Sequence, residues 1–163
     1  MQINTNFETG GLALVALFSL SNALFAQASQ VTFGSGNHDT SLPIEATSDN
    51  LVLNQELGTA VFQGNVVIVQ GGLKISGPSI EVFYDEETKL IVRVIANERA
   101  KITMDQDTAE ANTTNYDALK GVIIMEGDVV ISQETNHIFT DYLKAFPHSS
   151  VAQLEGRVRI EQK

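Results

Sequence analysis

The sequence predicts an all-β domain, and three observations carry that prediction. Apolar and polar residues alternate over short runs, no stretch beyond residue 43 keeps apolar residues at i, i+3, i+4 and i+7, and one β motif returns along the chain. The cleanest alternation is Arg157-Val158-Arg159-Ile160-Glu161, with every charge on one face and both apolar residues on the other. Val- and Ile-rich runs at 65–70, 79–84, 90–96 and 121–125 are separated by turn formers such as Leu57-Gly58, Gly71-Gly72, Asp85-Glu86-Glu87-Thr88 and Thr135-Asn136. This punctuation predicts about ten to fourteen short antiparallel strands.

The repeat organises those strands. Phe62-Gln63-Gly64-Asn65-Val66-Val67-Ile68 matches Met125-Glu126-Gly127-Asp128-Val129-Val130-Ile131 and Leu154-Glu155-Gly156-Arg157-Val158-Arg159-Ile160, with a degenerate copy over residues 95–102. The turn positions 64, 97, 127 and 156 are 33, 30 and 29 residues apart. Flanking segments repeat as well: Glu45-Ala46-Thr47 with Glu110-Ala111-Asn112, and residues 75–82 with 138–145. Gly or Asn at each turn position suits the positive φ of a tight hairpin turn. Units this thin must complete one another's cores by stacking. An open stack leaves its terminal strands unpaired, so the last strand, with Val158 and Ile160, is the expected oligomer edge for head-to-tail association.

Composition excludes several classes of function. The 163 residues carry 10 Lys+Arg against 20 Asp+Glu, a formal charge of −10, which opposes nucleic-acid binding through phosphates. With no Cys, disulfide scaffolds, thiolate nucleophiles and Cys-containing zinc sites are absent. His38 falls in a polar N-terminal segment, His137 in a hairpin turn and His148 in a loop, all read as solvated, and no spacing suits a metal site. Asp105-Gln106-Asp107 lacks the Gly and terminal Glu of a calcium loop and reads as a polar connection. No catalytic pair emerges, so the expectation is a protein that is not an enzyme and uses no cofactor.

The N-terminus reads as an address. Residues 12–25 form the one long apolar stretch, and its dense part has the length of a signal-peptide core, followed by the small-x-small pattern Ala26-Gln27-Ala28. The expected organisation is a signal peptide over 1–28, a flexible segment over 29–42 and one β domain over 43–163. Cleavage takes Glu8 with it and leaves 10 basic against 19 acidic residues, a formal charge of −9.

Taking the last strand as a ruler, Val66 and Ile68, Val129 and Ile131, and Val158 and Ile160 point inward. Two interiors fit this patterning: a filled sandwich core, or a sheet folded over a groove that holds an apolar guest.

From Ile44-Glu45-Ala46-Thr47-Ser48-Asp49-Asn50-Leu51 through residues 60–68 to Gly72-Leu73-Lys74-Ile75-Ser76-Gly77, with returns at 110–116, 125–133 and 138–143, the chain resembles the OstA-like family of lipopolysaccharide (LPS) transport proteins. The resemblance spans residues 43–163. It implies a twisted, open β-jellyroll of repeated antiparallel strands forming a V-shaped apolar groove that shields the acyl chains of lipid A. It implies a periplasmic carrier in a head-to-tail bridge, with an LptC-like inner-membrane protein and the N-terminal domain of an LptD-like outer-membrane protein as partners. Carried over motif by motif, it assigns lipid contact to Thr40, Ile44, Ala46, Ile102, Tyr116 and Ala118, beside the inward-facing Val66, Ile68, Val129 and Ile131. Two other readings fit the residues: a membrane-anchored LptC-like member of the same bridge that keeps residues 12–25 as its anchor, and a structural β-solenoid assembly module without ligand.

Overall fold

The computed structural model describes residues 30–162, so the expected signal peptide lies outside the described residues. In chain order the strands are β1 (Gln30–Thr32), β2 (Glu45–Thr47), β3 (Asn50–Asn54), β4 (Thr59–Gln70), β5 (Leu73–Tyr84), β6 (Ile91–Ala96) and β7 (Ala100–Met104), then β8 (Asp107–Ala111), β9 (Thr113–Asp117), β10 (Val122–Ser132), β11 (Asn136–Phe146), β12 (Val151–Glu155) and β13 (Arg159–Gln162). Every pairing among them is antiparallel.

Six strands pair in a closed circuit: β5 with β6, β6 with β9, β9 with β10, β10 with β8, β8 with β7, and β7 back to β5. This closed six-strand β-barrel corrects the expected open jellyroll with a V-shaped groove. Strand length is the reason. β5 and β10, of 12 and 11 residues, each pair with one strand along one half and another along the other half, so the β6–β9 wall and the β7–β8 wall share both lateral strands. Outside the circuit, β4 extends β5 and carries β2 and β3, while β11 extends β10 and carries β12 and β13, with β1 on β12.

Two of the repeated glycines, Gly64 and Gly127, sit inside long strands rather than at hairpin ends. β4 and β10 run straight through their motifs, and their pairing with β5 and β11 shifts between Gln63 and Val66 and between Glu126 and Val129. These are β-bulges, which call for the same residue types as a hairpin turn. Gly64 and Gly127 have φ of 76° and 79°, followed by Asn65 at 48° and Asp128 at 46°. A Cβ on Gly64 would lie 2.5 Å from Asp49 Oδ2, and one on Gly127 would lie 2.9 Å from Asn112 Nδ2. Asn65 Nδ2 donates to Asp49 Oδ2 at 2.8 Å, whereas in the second copy Asn112 Nδ2 donates to Asp128 Oδ2 at 3.2 Å, so the corner bond survives with its donor and acceptor exchanged. In the third copy Gly156 ends β12, and Arg157 clasps Asp141 through its backbone and guanidinium.

Register also refines the flanking repeat. Ala46 lies opposite Ile68 and Ala109 opposite Ile131, so Ala46 corresponds to Ala109, two residues from where matching Glu45 with Glu110 would place it. Side chains from both walls and from β4, β5, β10 and β11 form one apolar cluster, in which Val66, Ile68, Ile102, Tyr116, Val129 and Ile131 are all 2% exposed or less.

Residues 30–42 are attached to the sheet. β1 pairs with β12, and Phe33 is buried. From there the chain runs as a strap past Met104, Tyr116 and Gly71 to β2.

Candidate functional site

The strap and the strand ends beneath it make up the most feature-rich region of the molecule. Gln70 is the last residue of β4, buried at 4% exposure where the alternation of that strand turns it inward. Its Nε2 donates to the carbonyls of Thr40 and Leu42, both at 2.9 Å. With that nitrogen on the strap, Oε1 is the acceptor, and the Tyr116 hydroxyl donates to it. The His38 ring sits 2.8 Å from the same hydroxyl through Nε2, which must therefore carry the proton, and His38 Nδ1 is buried without a partner. Burial lowers the His38 pKa; the Asp39 carboxylate and Gln70 oppose that shift, and His148 adds to it. Burial, reinforced by the Asp117 charge, raises that of Tyr116, which keeps its proton. Further along, the amides of Gly34 and Ser35 donate to Asp107 and Asp105 at 3.0 and 2.8 Å. The polar connection at 105–107 is thus the strap's second fastening.

Beside the strap lies a cleft of about 770 Å³. Thr40, Ile44, Ala46 and Ala118 line it, so four of the ten residues expected to meet lipid come together there. The other six, Val66, Ile68, Ile102, Tyr116, Val129 and Ile131, are core residues under that region or along the barrel interior. Phe62, Leu90 and Leu119, which the sequence reading did not assign to a site, are among its further apolar lining residues, and Asp85, Glu87 and Lys89 give the cleft a charged side. Leu90 and Leu119 are 63% and 75% exposed in turns, and a large apolar residue among turn formers is the signal that could have found them. Gln70, a polar residue ending an apolar strand just before Gly71-Gly72, is a comparable signal.

Two histidines depart from the solvated reading. His38 joins the network just described, and His137 lies in β11 with Nδ1 at 3.1 Å from Ser132 Oγ. Among the described residues, no group of three or more His, Asp or Glu is placed to hold a metal ion.

Val158 and Ile160 lie at the far end. Among the described strands β13 pairs with β11 alone, and the two side chains, expected from the strand pattern to point inward, are instead 38% and 53% exposed because no second layer covers them there. A hollow of about 580 Å³ there is lined by Val129, Phe139, Val158 and the Arg157–Asp141 corner, with the Arg159 guanidinium 4.1 Å from the Phe139 ring centroid. At the opposite end, Leu51, Val52 and Leu53 of edge strand β3 are each more than half exposed.

Comparison with known proteins bears on this geometry. The profile of a family described as "LptA/(LptD N-terminal domain) LPS transport protein" matches residues 45–151. The crystal structure of LptH, the LptA-homologous periplasmic component of the lipopolysaccharide transport device from Pseudomonas aeruginosa, is similar, with a TM-score of 0.66. It covers 77% of this chain and 97% of LptH at 19% identity, which shows a shared fold. Comparison with curated protein sequences finds no match.

Proposed function

The chain belongs to the family of LPS transport proteins that includes LptA and the LptD N-terminal domain, and from that premise we propose that it is an LptA-type periplasmic carrier of lipopolysaccharide. Membership makes it a transport protein rather than an enzyme. The observation that carries the finer reading is the convergence of Thr40, Ile44, Ala46 and Ala118 on one largely apolar cleft over the barrel interior. In this reading the acyl chains of lipid A bind there and reach inward toward Tyr116 and Ile102. The affinity is apolar, at about 0.8 kcal/mol per buried CH₂. The acidic chain provides no basic cradle for lipid phosphates, which matches a carrier that holds its cargo by the chains.

The bridge follows from the two ends. β3 and β13 each present an edge with exposed apolar residues, and joining one end to the other end of the next copy is a heterologous contact that propagates instead of closing. An LptC-like protein and the N-terminal domain of an LptD-like protein are the proposed terminal partners, built on the same edges. Cleavage before Ser29 separates this carrier from an anchored LptC-like member, and sequencing the mature N-terminus reads that directly.

The cargo is tested with photo-crosslinking side chains at Ile44, Ala118 and, as a control, exposed Arg159, each incubated with purified LPS. The carrier reading expects adducts at the first two positions and none at the third. Equal labelling at all three, or none anywhere, would remove it in favour of a ligand-free assembly module.

A further inference from the structure

We propose that residues 34–43 are a displaceable cover on the apolar interior, and that the cleft between Leu42 and the turns bearing Leu90 and Leu119 is the port through which an acyl chain passes beneath it. The inference rests on the carrier reading for the identity of the guest, and on the strap itself for the movement.

The strap is held firmly at its ends and lightly between them. β1 with Phe33 secures one end and β2 the other. Between these no apolar side chain is buried, since Leu42 is 43% exposed and Ser35, Asn37, Asp39, Thr40, Ser41 and Pro43 face solvent. Hydrophobic burial, the main force holding the barrel, therefore does not hold this segment down. Hydrogen bonds do, and each is one that water can replace.

The groups beneath the strap suit an opened state. Gln70 and Tyr116 direct their polar ends at it, so lifting it would hydrate both rather than strand them. His38 Nδ1 lacks a partner only while the strap is down, so closure costs a hydrogen bond that opening restores. Gly34 lies so close to Met104 that a Cβ there would be 2.3 Å from Sδ, so in the closed state the backbone rests directly on the interior. The cleft is the place where that cover is already incomplete.

Because the chain has no Cys, a single engineered disulfide can lock the strap. The pair Thr40→Cys with Gly121→Cys brings the sulfurs within reach, because a Cβ on Gly121 lies 3.0 Å from Thr40 Cγ2. The strain of a side chain at the φ of 60° there is common to the oxidised and reduced forms that are compared. The probe is dansyl-undecanoic acid, whose fluorescence reports transfer to an apolar site. The proposal expects probe binding to fall about tenfold or more on oxidation and to return with dithiothreitol, a population effect of restricting the open state. Equal binding by the oxidised and reduced forms overturns it. Amide hydrogen exchange of the wild type without probe reads the movement alone. Residues 34–43 should exchange about tenfold or more faster than β7 and β10, and His38→Ala should speed the strap without changing the barrel. Exchange of the strap only in step with the barrel overturns the cover, whatever binds. Independent strap exchange with no probe uptake by any form would keep the cover and defeat the acyl-carrier reading.

Discussion

The second and third copies of the motif have nearly the same local sequence and opposite surroundings. In Gly127-Asp128-Val129-Val130-Ile131 the alternate apolar residues are 1% and 0% exposed, whereas in Gly156-Arg157-Val158-Arg159-Ile160 they are 38% and 53% exposed. Both glycines have positive φ, and both face a polar residue fifteen positions earlier, Asn112 or Asp141. The motif therefore specifies a corner and the strand that leaves it, and neighbours decide burial. β10 lies between β8 and β11 with a wall opposite, while β13 has one partner among the described strands. One pattern thus builds core around β10 and an exposed apolar edge at β13.

The largest test of this contrast is Ile131→Ala, which should lower stability by about 2–5 kcal/mol, read as a reduced urea midpoint at unchanged slope. A loss under about 1 kcal/mol would mean that the interior around β10 is not close-packed. Gly127→Ala places a Cβ at positive φ and against Asn112, and should cost about 1–2 kcal/mol by the same measurement. A neutral result would show that the bulge relaxes and that the glycine is not required for the corner.

A smaller effect separates the strap from both copies. The folded pKa of His38 is lowered, so the folded state binds fewer protons than the unfolded chain, and stability from this group is complete above the ordinary His value of about 6.5 and lost as pH falls toward the lowered one. Asp39 and His148 are the charged groups that modulate it. Protection of the strap amides, taken relative to their intrinsic exchange rate at each pH, should therefore fall from about pH 7.5 to about pH 5.5, and His38→Ala should flatten that fall. The smallest effect is expected at Ile160→Ala, within about 0.5 kcal/mol in unfolding of the isolated chain. Ile160→Asp should nevertheless abolish any rise of apparent mass with concentration. A chain that stays monomeric at every concentration would contradict the proposed bridge.

Much of this architecture is legible in the residues. Alternation placed strands correctly, and the spacing of 64, 97, 127 and 156 marks where each long strand bends or each short pair breaks. The role of those positions was harder to read, because a mid-strand bulge and a hairpin turn both select Gly followed by Asn or Asp at positive φ. Taking them as strand ends shortens β4 and β10, whereas the open groove was an expectation of the family resemblance alone. At the candidate site, Ala46 and Tyr116 were reached through the family resemblance, which could be carried over because both lie in strand motifs. The site was illegible at His38, whose place depends on a loop crossing 78 residues of sequence to reach Tyr116.

The sequence by itself determined the class of fold, the motif with its glycines, the apolar faces of the strands and the resemblance to a transport family. These are local properties, set by φ preference and by period-two patterning. Only the tertiary structure decided that β5 and β10 join two walls into a barrel, that the strap lies over Gln70 and Tyr116, and that Val129 is covered while Val158 is bare. Closure and coverage depend on which segments meet, and residues with the same local pattern carry no record of what will be packed against them.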